Sequence, residues 1–354
     1  MKRINYLWAI ILMASFSALT SCGGNSTEPA ESTEVVAEVQ ETQSNILASY
    51  FAENGDQINA TEENNGFPKF IMADKVYEEL GGYILVIDLR GGQDFAGGHI
   101  DGAINLKLEN LLYYFKEDLN PEDYDKIVLV CYSGQTSSYA TGILNLMGYN
   151  NVYTMKWGMA SWNKEFAGKW LENVSSDYVE DLETTDNPKA AASGLPVVNT
   201  GKTEIKDIIE AQAASLFETG FKAVRLKIGD IMTNPSDYYI VSYTSDETYQ
   251  LGHLKGAIQY SPKSSLGLNQ SLETLPKDKP IIVYCYSGQN AAFVVSYLRM
   301  IGYDASLLLY GANSFMNSII IENNMPAFNE DQINDFETIK SDYSGAAEKS
   351  GGGC

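Results

Sequence analysis

The 354-residue sequence predicts an α/β protein of two tandem domains, each a parallel sheet with helices on both faces. Three observations lead there. Displacing the chain by 154 residues superimposes Cys131 on Cys285, Gly134 on Gly288 and Gly148 on Gly302. Self-similarity at one fixed displacement marks a duplicated unit. The same displacement lays Gly98-His99 on Gly252-His253, the only two histidines, and Gly102-Ala103-Ile104 on Gly256-Ala257-Ile258. After one residue is dropped from the second copy, Gly158 to Trp162 aligns with Gly311 to Phe315. The second observation is that each copy runs from a short apolar stretch (Ile127 to Val130, Ile281 to Tyr284) through a cysteine and a Gly-containing loop into a helical segment. Continuous apolar strands alternating with helices are the pattern of a parallel sheet covered on both faces. Third, the polar stretch 173–203, with Pro188, Gly194 and Pro196, separates the copies as a linker.

Taken in order, residues 1–21 read as an export leader. Lys2 and Arg3 precede the apolar run YLWAIILMASFSAL, which is too short to span a bilayer. Leu19-Thr20-Ser21-Cys22-Gly23 resembles the lipobox of bacterial lipoproteins. That resemblance implies lipidation of Cys22 and a chain anchored in the bacterial cell envelope, facing the periplasm or the cell surface. Residues 22–65 are acidic and polar and read as a solvated tether. The first domain is expected over 66–172, with strands at 83–89, 103–106, 127–130 and 152–155 and a helix after the cysteine loop that stops at Gly148. The second domain is expected over 204–324, opening with a helix. Residues 325–354 read as a tail ending in GGGC.

Charge limits the partners. The formal net charge is −22, and loss of Lys2 and Arg3 with the leader takes it to −24. Nucleic acid is excluded as a partner for such a surface. The expected association with the membrane is through lipid, and the chain is read as a monomer. With Cys22 assigned to lipid, Cys131, Cys285 and Cys354 remain. Three is an odd number, and two of them hold equivalent places in a repeat. That argues for chemistry rather than a disulfide staple.

A cysteine that ends a strand and precedes a helix sits beside free backbone N–H groups. Those donors favour the thiolate and lower the pKa from about 8.5. Gly134 and Gly288 allow a tight turn that aims successive N–H groups inward as an anion nest. Such a cradle suits a charged sulfur, including a persulfide. No metal or cofactor is expected.

Three segments of the first copy then resemble the rhodanese-like sulfurtransferases: Val86-Ile87-Asp88-Leu89-Arg90, Gly98 to Asn105 and Cys131 to Thr136, with Gly158 to Trp162 as a late fourth. The second copy matches at Gly252 to Ile258 and Cys285 to Asn290. The resemblance implies a persulfide on Cys131 and Cys285, formed from a sulfane-sulfur donor and discharged to a thiol acceptor. It implies donor binding by Tyr132, Ser133, Gly134, Gln135 and Thr136 with Arg90, and by Tyr286, Ser287, Gly288, Gln289 and Asn290. Cys131 is the better-supported centre, because the second copy has Ser242-Tyr243-Thr244 where the first has Asp88-Leu89-Arg90. Neither loop holds Arg or Lys, so thiosulfate is expected to be a poor donor. Phosphatase chemistry is excluded, since Ser137 and Ala291 stand six residues past the cysteines, where an Arg would close such a loop. His99 and His253 are read as structural turns, Arg90 as either a donor contact or a partner of Asp88, Lys156 and Trp157 as walls of the first pocket, and Trp162 as core. Cys354 is read as a possible mobile acceptor, on the reach of a flexible tail counted from Ala327. The alternative to an enzyme is a persulfide carrier or thiol-redox module of the envelope.

Overall fold

The computed structural model describes residues 42–342. The first sheet contains β1 (Phe70–Ile71), β2 (Ile84–Asp88), β3 (Ile104–Asn105), β4 (Lys126–Val130) and β5 (Val152–Met155). The second contains β6 (Arg225–Leu226), β7 (Tyr239–Ser242), β8 (Ile258–Gln259), β9 (Ile281–Tyr284) and β10 (Ala305–Leu308). Both sheets are wholly parallel, and their strand orders, β1-β5-β4-β2-β3 and β6-β10-β9-β7-β8, are the same order repeated. The central strands β4 and β9 are apolar because helices cover both faces. Ile127 to Val130 and Ile281 to Tyr284 are all buried.

The helices after the two cysteine loops, Gln135–Leu146 and Gln289–Met300, pack against each other and join the sheets into one core. Every residue of Gln135–Leu146 is buried, and in Gln289–Met300 all but Asn290 and Arg299, so neither helix shows the one-sided stripe of a surface helix. Their closeness depends on Gly142. A Cβ there would stand 2.1 Å from Ser296 Oγ and 3.3 Å from the Phe293 ring. We expect Gly142→Ala to force the helices apart and destabilise the protein by about 1–3 kcal/mol, read from the denaturant midpoint. An unchanged midpoint would mean that the helix contact can adjust.

Three stretches that read as polar connectors are ordered parts of the fold, which corrects the expected boundaries. The stretch expected as tether contains a helix, Gln43–Glu53, capped by Thr42, whose Leu47, Ala48 and Phe51 are buried. Its burial surface belongs to the second domain. Phe51 meets Tyr297 edge-on at 6.2 Å, and Phe67 lies 5.0 Å from Phe293. The linker is pinned rather than free: Glu183 and His253 exchange backbone hydrogen bonds of 3.0 Å, and Val198 N donates to Ser44 Oγ at 3.1 Å. The expected tail crosses back to the first domain, where Ile339 and His99 exchange bonds of 2.9 Å and Ser341 N donates to Ala96 O. Each domain is thus strapped by the chain that leaves the other. The helix expected to open the second domain spans Ile205–Thr219. Among the described residues, no helix is long and apolar enough to cross a membrane.

Candidate functional site

Each cysteine follows the last residue of a central strand, β4 or β9, so its side chain stands at the carboxyl edge of the sheet. Gly134 and Gly288 turn the chain with φ of 80° and 75°, a left-handed conformation that other residues adopt at a cost. The following helix then starts with its amides facing the sulfur. Ser137 N donates to Cys131 Sγ at 3.5 Å, and Ala291 N to Cys285 Sγ at 3.3 Å. The amides of Ser287, Gly288 and Asn290 also favour the Cys285 thiolate. This is the inward nest expected from the Gly-containing loops.

The loops are braced from behind. Met159 N and Ala160 N donate to the carbonyls of Cys131 and Tyr132, and Ala312 N and Asn313 N do the same for Cys285 and Tyr286. Gly158 and Gly311 permit this contact, since a Cβ would fall 2.5 Å from Cys131 O in the first copy and 2.1 Å from Cys285 O in the second. The residues before them, Trp157 and Tyr310, hold φ of 67° and 62°. What fixes them is an exchange of glutamines: Trp157 N donates to Gln289 Oε1 at 2.9 Å, and Tyr310 N to Gln135 Oε1 at 2.7 Å. Each cysteine loop therefore clamps the loop behind its counterpart.

Gln135 and Gln289, both expected among the donor contacts, are fully buried with their side-chain oxygens engaged across the domain contact. Ser133 accepts from Gln135 Nε2 at 2.9 Å, and its carbonyl accepts from Trp170 Nε1 at 3.2 Å. Arg90 grips Asp88 through Nε at 3.0 Å and Nη2 at 2.7 Å, and donates to Gly98 O; its side chain is 1% exposed. It is a buried strut on the equally buried carboxylate two residues away, with Nη1 left without a hydrogen-bond partner. The histidines are struts too. His99 stacks on Phe95 and His253 on Tyr249, each with Nδ1 2.8 Å from that ring residue's carbonyl.

Of the remaining expected residues, Tyr132 lies between Arg90 and Lys169, 5.3 and 5.2 Å from its ring centroid. Tyr286 shares a hydrogen bond of 2.6 Å with Thr248 Oγ1. Ser287 Oγ accepts from Gln289 N, Asn290 supplies its amide to Cys285, and Thr136 is buried in the first helical turn. Lys156 lies over the Trp157 ring, and Trp157 and Trp162 are both buried, with Trp157 Nε1 donating to Gln332 Oε1 at 3.0 Å. Cys22 and Cys354 lie outside the described residues. The free path counted from Ala327 is not available, because the chain is fixed to the first domain as far as Ser341.

The two thiols differ in a way that the sequence reading missed. Ser137 Oγ stands 3.5 Å from Cys131 Sγ and 2.6 Å from Thr154 Oγ1, whereas the second loop has Ala291 at that place. The signal in the sequence is the Ser–Ala difference at positions 137 and 291. Both thiols are buried, 3% and 2% exposed. At Cys285 burial outweighs the amide donors and pushes the thiol pKa up. The amide donors act there in the expected direction.

A rhodanese-like domain model matches residues 72–165 and again 210–318, together more than half of the chain. The thiosulfate sulfurtransferase GlpE of Shewanella oneidensis is 37% identical over 82 residues, 23% of this chain and 77% of that protein. GlpE of Pseudomonas entomophila is 31% identical over 85 residues, 24% of this chain and 75% of that one. Among solved structures, SseA from Escherichia coli, described as a 3-mercaptopyruvate sulfotransferase, is 18% identical. It aligns over 68% of this chain and 97% of its own, with a TM-score of 0.25. With the family model matched twice on two sheets of one strand order, the chain belongs to the rhodanese-like family as a tandem pair of domains.

Proposed function

We propose that the protein is a sulfurtransferase that carries sulfane sulfur as a persulfide on Cys131. The observation that carries this reading is the Cys131 thiol at the carboxyl end of β4, with the amide and the hydroxyl of Ser137 both 3.5 Å from its sulfur. The Cys131 thiolate attacks the outer sulfur of a persulfide donor, RSSH, and RS− departs with the proton that Cys131 released. Cys131–SSH and RSH result. An acceptor thiolate then takes the outer sulfur, leaving acceptor persulfide and free Cys131. Amide donors hold the negative sulfur in both half-reactions. The outer sulfur projects about 2 Å beyond Sγ, which brings the reacting atom of a buried cysteine towards solvent.

Cys285 fits a slower role, a persulfide store of the carrier kind, because burial raises its pKa and Ala291 offers no hydroxyl. Loading of Cys285 should therefore increase as pH rises beyond the ordinary thiol range, since only the thiolate attacks. We further propose that the lipobox-like leader anchors the chain in the bacterial envelope, as read from the sequence.

Steady-state kinetics test the enzyme reading. Polysulfide or glutathione persulfide should support turnover, with thiosulfate poorer by roughly ten- to a hundredfold in kcat/KM, the effect of about 1.5–3 kcal/mol for a missing charge-assisted contact to the sulfonate. Thiosulfate as efficient as the best donor would overturn the donor preference. No transfer from any of the three would overturn the enzyme reading.

A further inference from the structure

Bordered by residues that contact the Cys131 loop lies a cleft of about 440 Å³, within the roughly 300–1,000 Å³ span of small-molecule sites. Lys169, Lys222, Arg225 and Lys227 line it, against two carboxylates, Glu172 and Asp230. A smaller pocket of about 300 Å³ continues from it and adds Asp177. The chain has 24 Lys and Arg against 46 Asp and Glu, so four cations around one cleft reverse the prevailing field. One oxygen of the Asp230 carboxylate accepts from the Lys227 backbone N at 3.0 Å, capping the helix that starts there. Among the described residues, the ammonium groups of Lys169, Lys222 and Lys227 have no carboxylate within ion-pair distance.

The cleft is attached to the sulfur loop at two points. Lys169 lies over the ring of Tyr132, the residue after Cys131, and its neighbour Trp170 donates to Ser133 O. Tyr310, a buried wall of the cleft, donates its N–H to Gln135 at the start of the post-cysteine helix. Two of the cleft's lining residues, Lys169 and Tyr310, thus each touch a residue of the Cys131 loop segment. The cations come from three elements, the helix Gly168–Leu171, the surroundings of β6 and the start of the helix Ile228–Thr233, so they suit charges spread over one molecule rather than a single small anion.

We propose that this cleft binds the carboxylate end of a small peptidic thiol or persulfide with two or more carboxylates, presenting its sulfur to Cys131. The identity of the sulfur carrier rests on the sulfurtransferase reading; the anion site does not. The probe is S-methylglutathione, which has the carboxylates but cannot exchange sulfur, titrated calorimetrically into the full-length chain. Binding is expected, falling with added salt and weakened at least tenfold in Lys222→Gln/Lys227→Gln, a change at two exposed residues outside the thiol loops. In that variant kcat/KM for glutathione persulfide should fall similarly, while inorganic polysulfide turnover stays unchanged.

Absence of S-methylglutathione binding, or equal binding by the variant, overturns the proposal. So does inorganic phosphate that competes as well as the peptide, or a poly-glutamate peptide that binds more tightly. If S-methylglutathione binds as expected but no donor loads Cys131, the anion site stands and the sulfur reading fails.

Discussion

A chain ending at Ala327 is expected to lose on the order of 5–11 kcal/mol of stability, with the first domain the first to open. The strap that this removes buries Phe328, which stacks on Trp170 at 5.1 Å and meets Trp157 at 5.6 Å. It also supplies acceptors for two buried indoles, Gln332 Oε1 for Trp157 and Glu337 O for Trp162, and Phe336 packs against Trp162 at 5.0 Å. Losing a buried aromatic side chain costs about 3–5 kcal/mol, and each buried donor left without a partner about 1–3. Guanidinium unfolding of the truncated chain, with Phe328→Ala as the milder companion, measures the loss. A truncated chain as stable as the whole would show that the strap lies on the first domain without supporting it.

Replacing Ser137 by alanine is expected to slow sulfur loading of Cys131 roughly ten- to a hundredfold at neutral pH. The hydroxyl is within reach of both Sγ and Thr154 Oγ1. When the thiolate forms, Thr154 can donate to Ser137 and Ser137 to sulfur. A hydrogen bond to a charged group contributes about 1.5–3 kcal/mol, so its loss raises the thiol pKa by roughly one to two units. The pH profile should therefore move to higher pH, with the limiting rate at high pH little changed. Alanine at this site is compatible with the fold, since Ala291 occupies the equivalent place, and Ala291→Ser should hasten loading of Cys285. A Ser137→Ala profile that overlays the parent would remove the hydroxyl from the mechanism.

The domain repeat and the cysteine loops were legible because they depend on local chemistry. The run Ile127 to Val130 needs only burial on both faces, and Gly134 only a turn. The expected strand at 152–155 is observed as Val152–Met155. What the sequence hid were long-range pairings. Leu47 and Phe51 fall in the stretch that reads as a solvated tether, and Phe51 packs on Tyr297. Gln135 reads as a ligand until the donor to its side-chain oxygen, the amide of Tyr310, is found 175 residues away. Arg90 carries both meanings in the sequence, and the structure adds its buried pairing with Asp88.

The central claim is that Cys131 is the sulfur-carrying centre. The most direct measurement is intact mass after brief exposure to one equivalent of polysulfide at neutral pH, on the parent, Cys131→Ser and Cys285→Ser, followed by peptide mapping of the added sulfur. The account predicts one added sulfur on the Cys131 peptide in the parent and in Cys285→Ser, and little loading or acceptor turnover in Cys131→Ser. Loading and turnover that survive in Cys131→Ser, with the label on the Cys285 peptide, would contradict it.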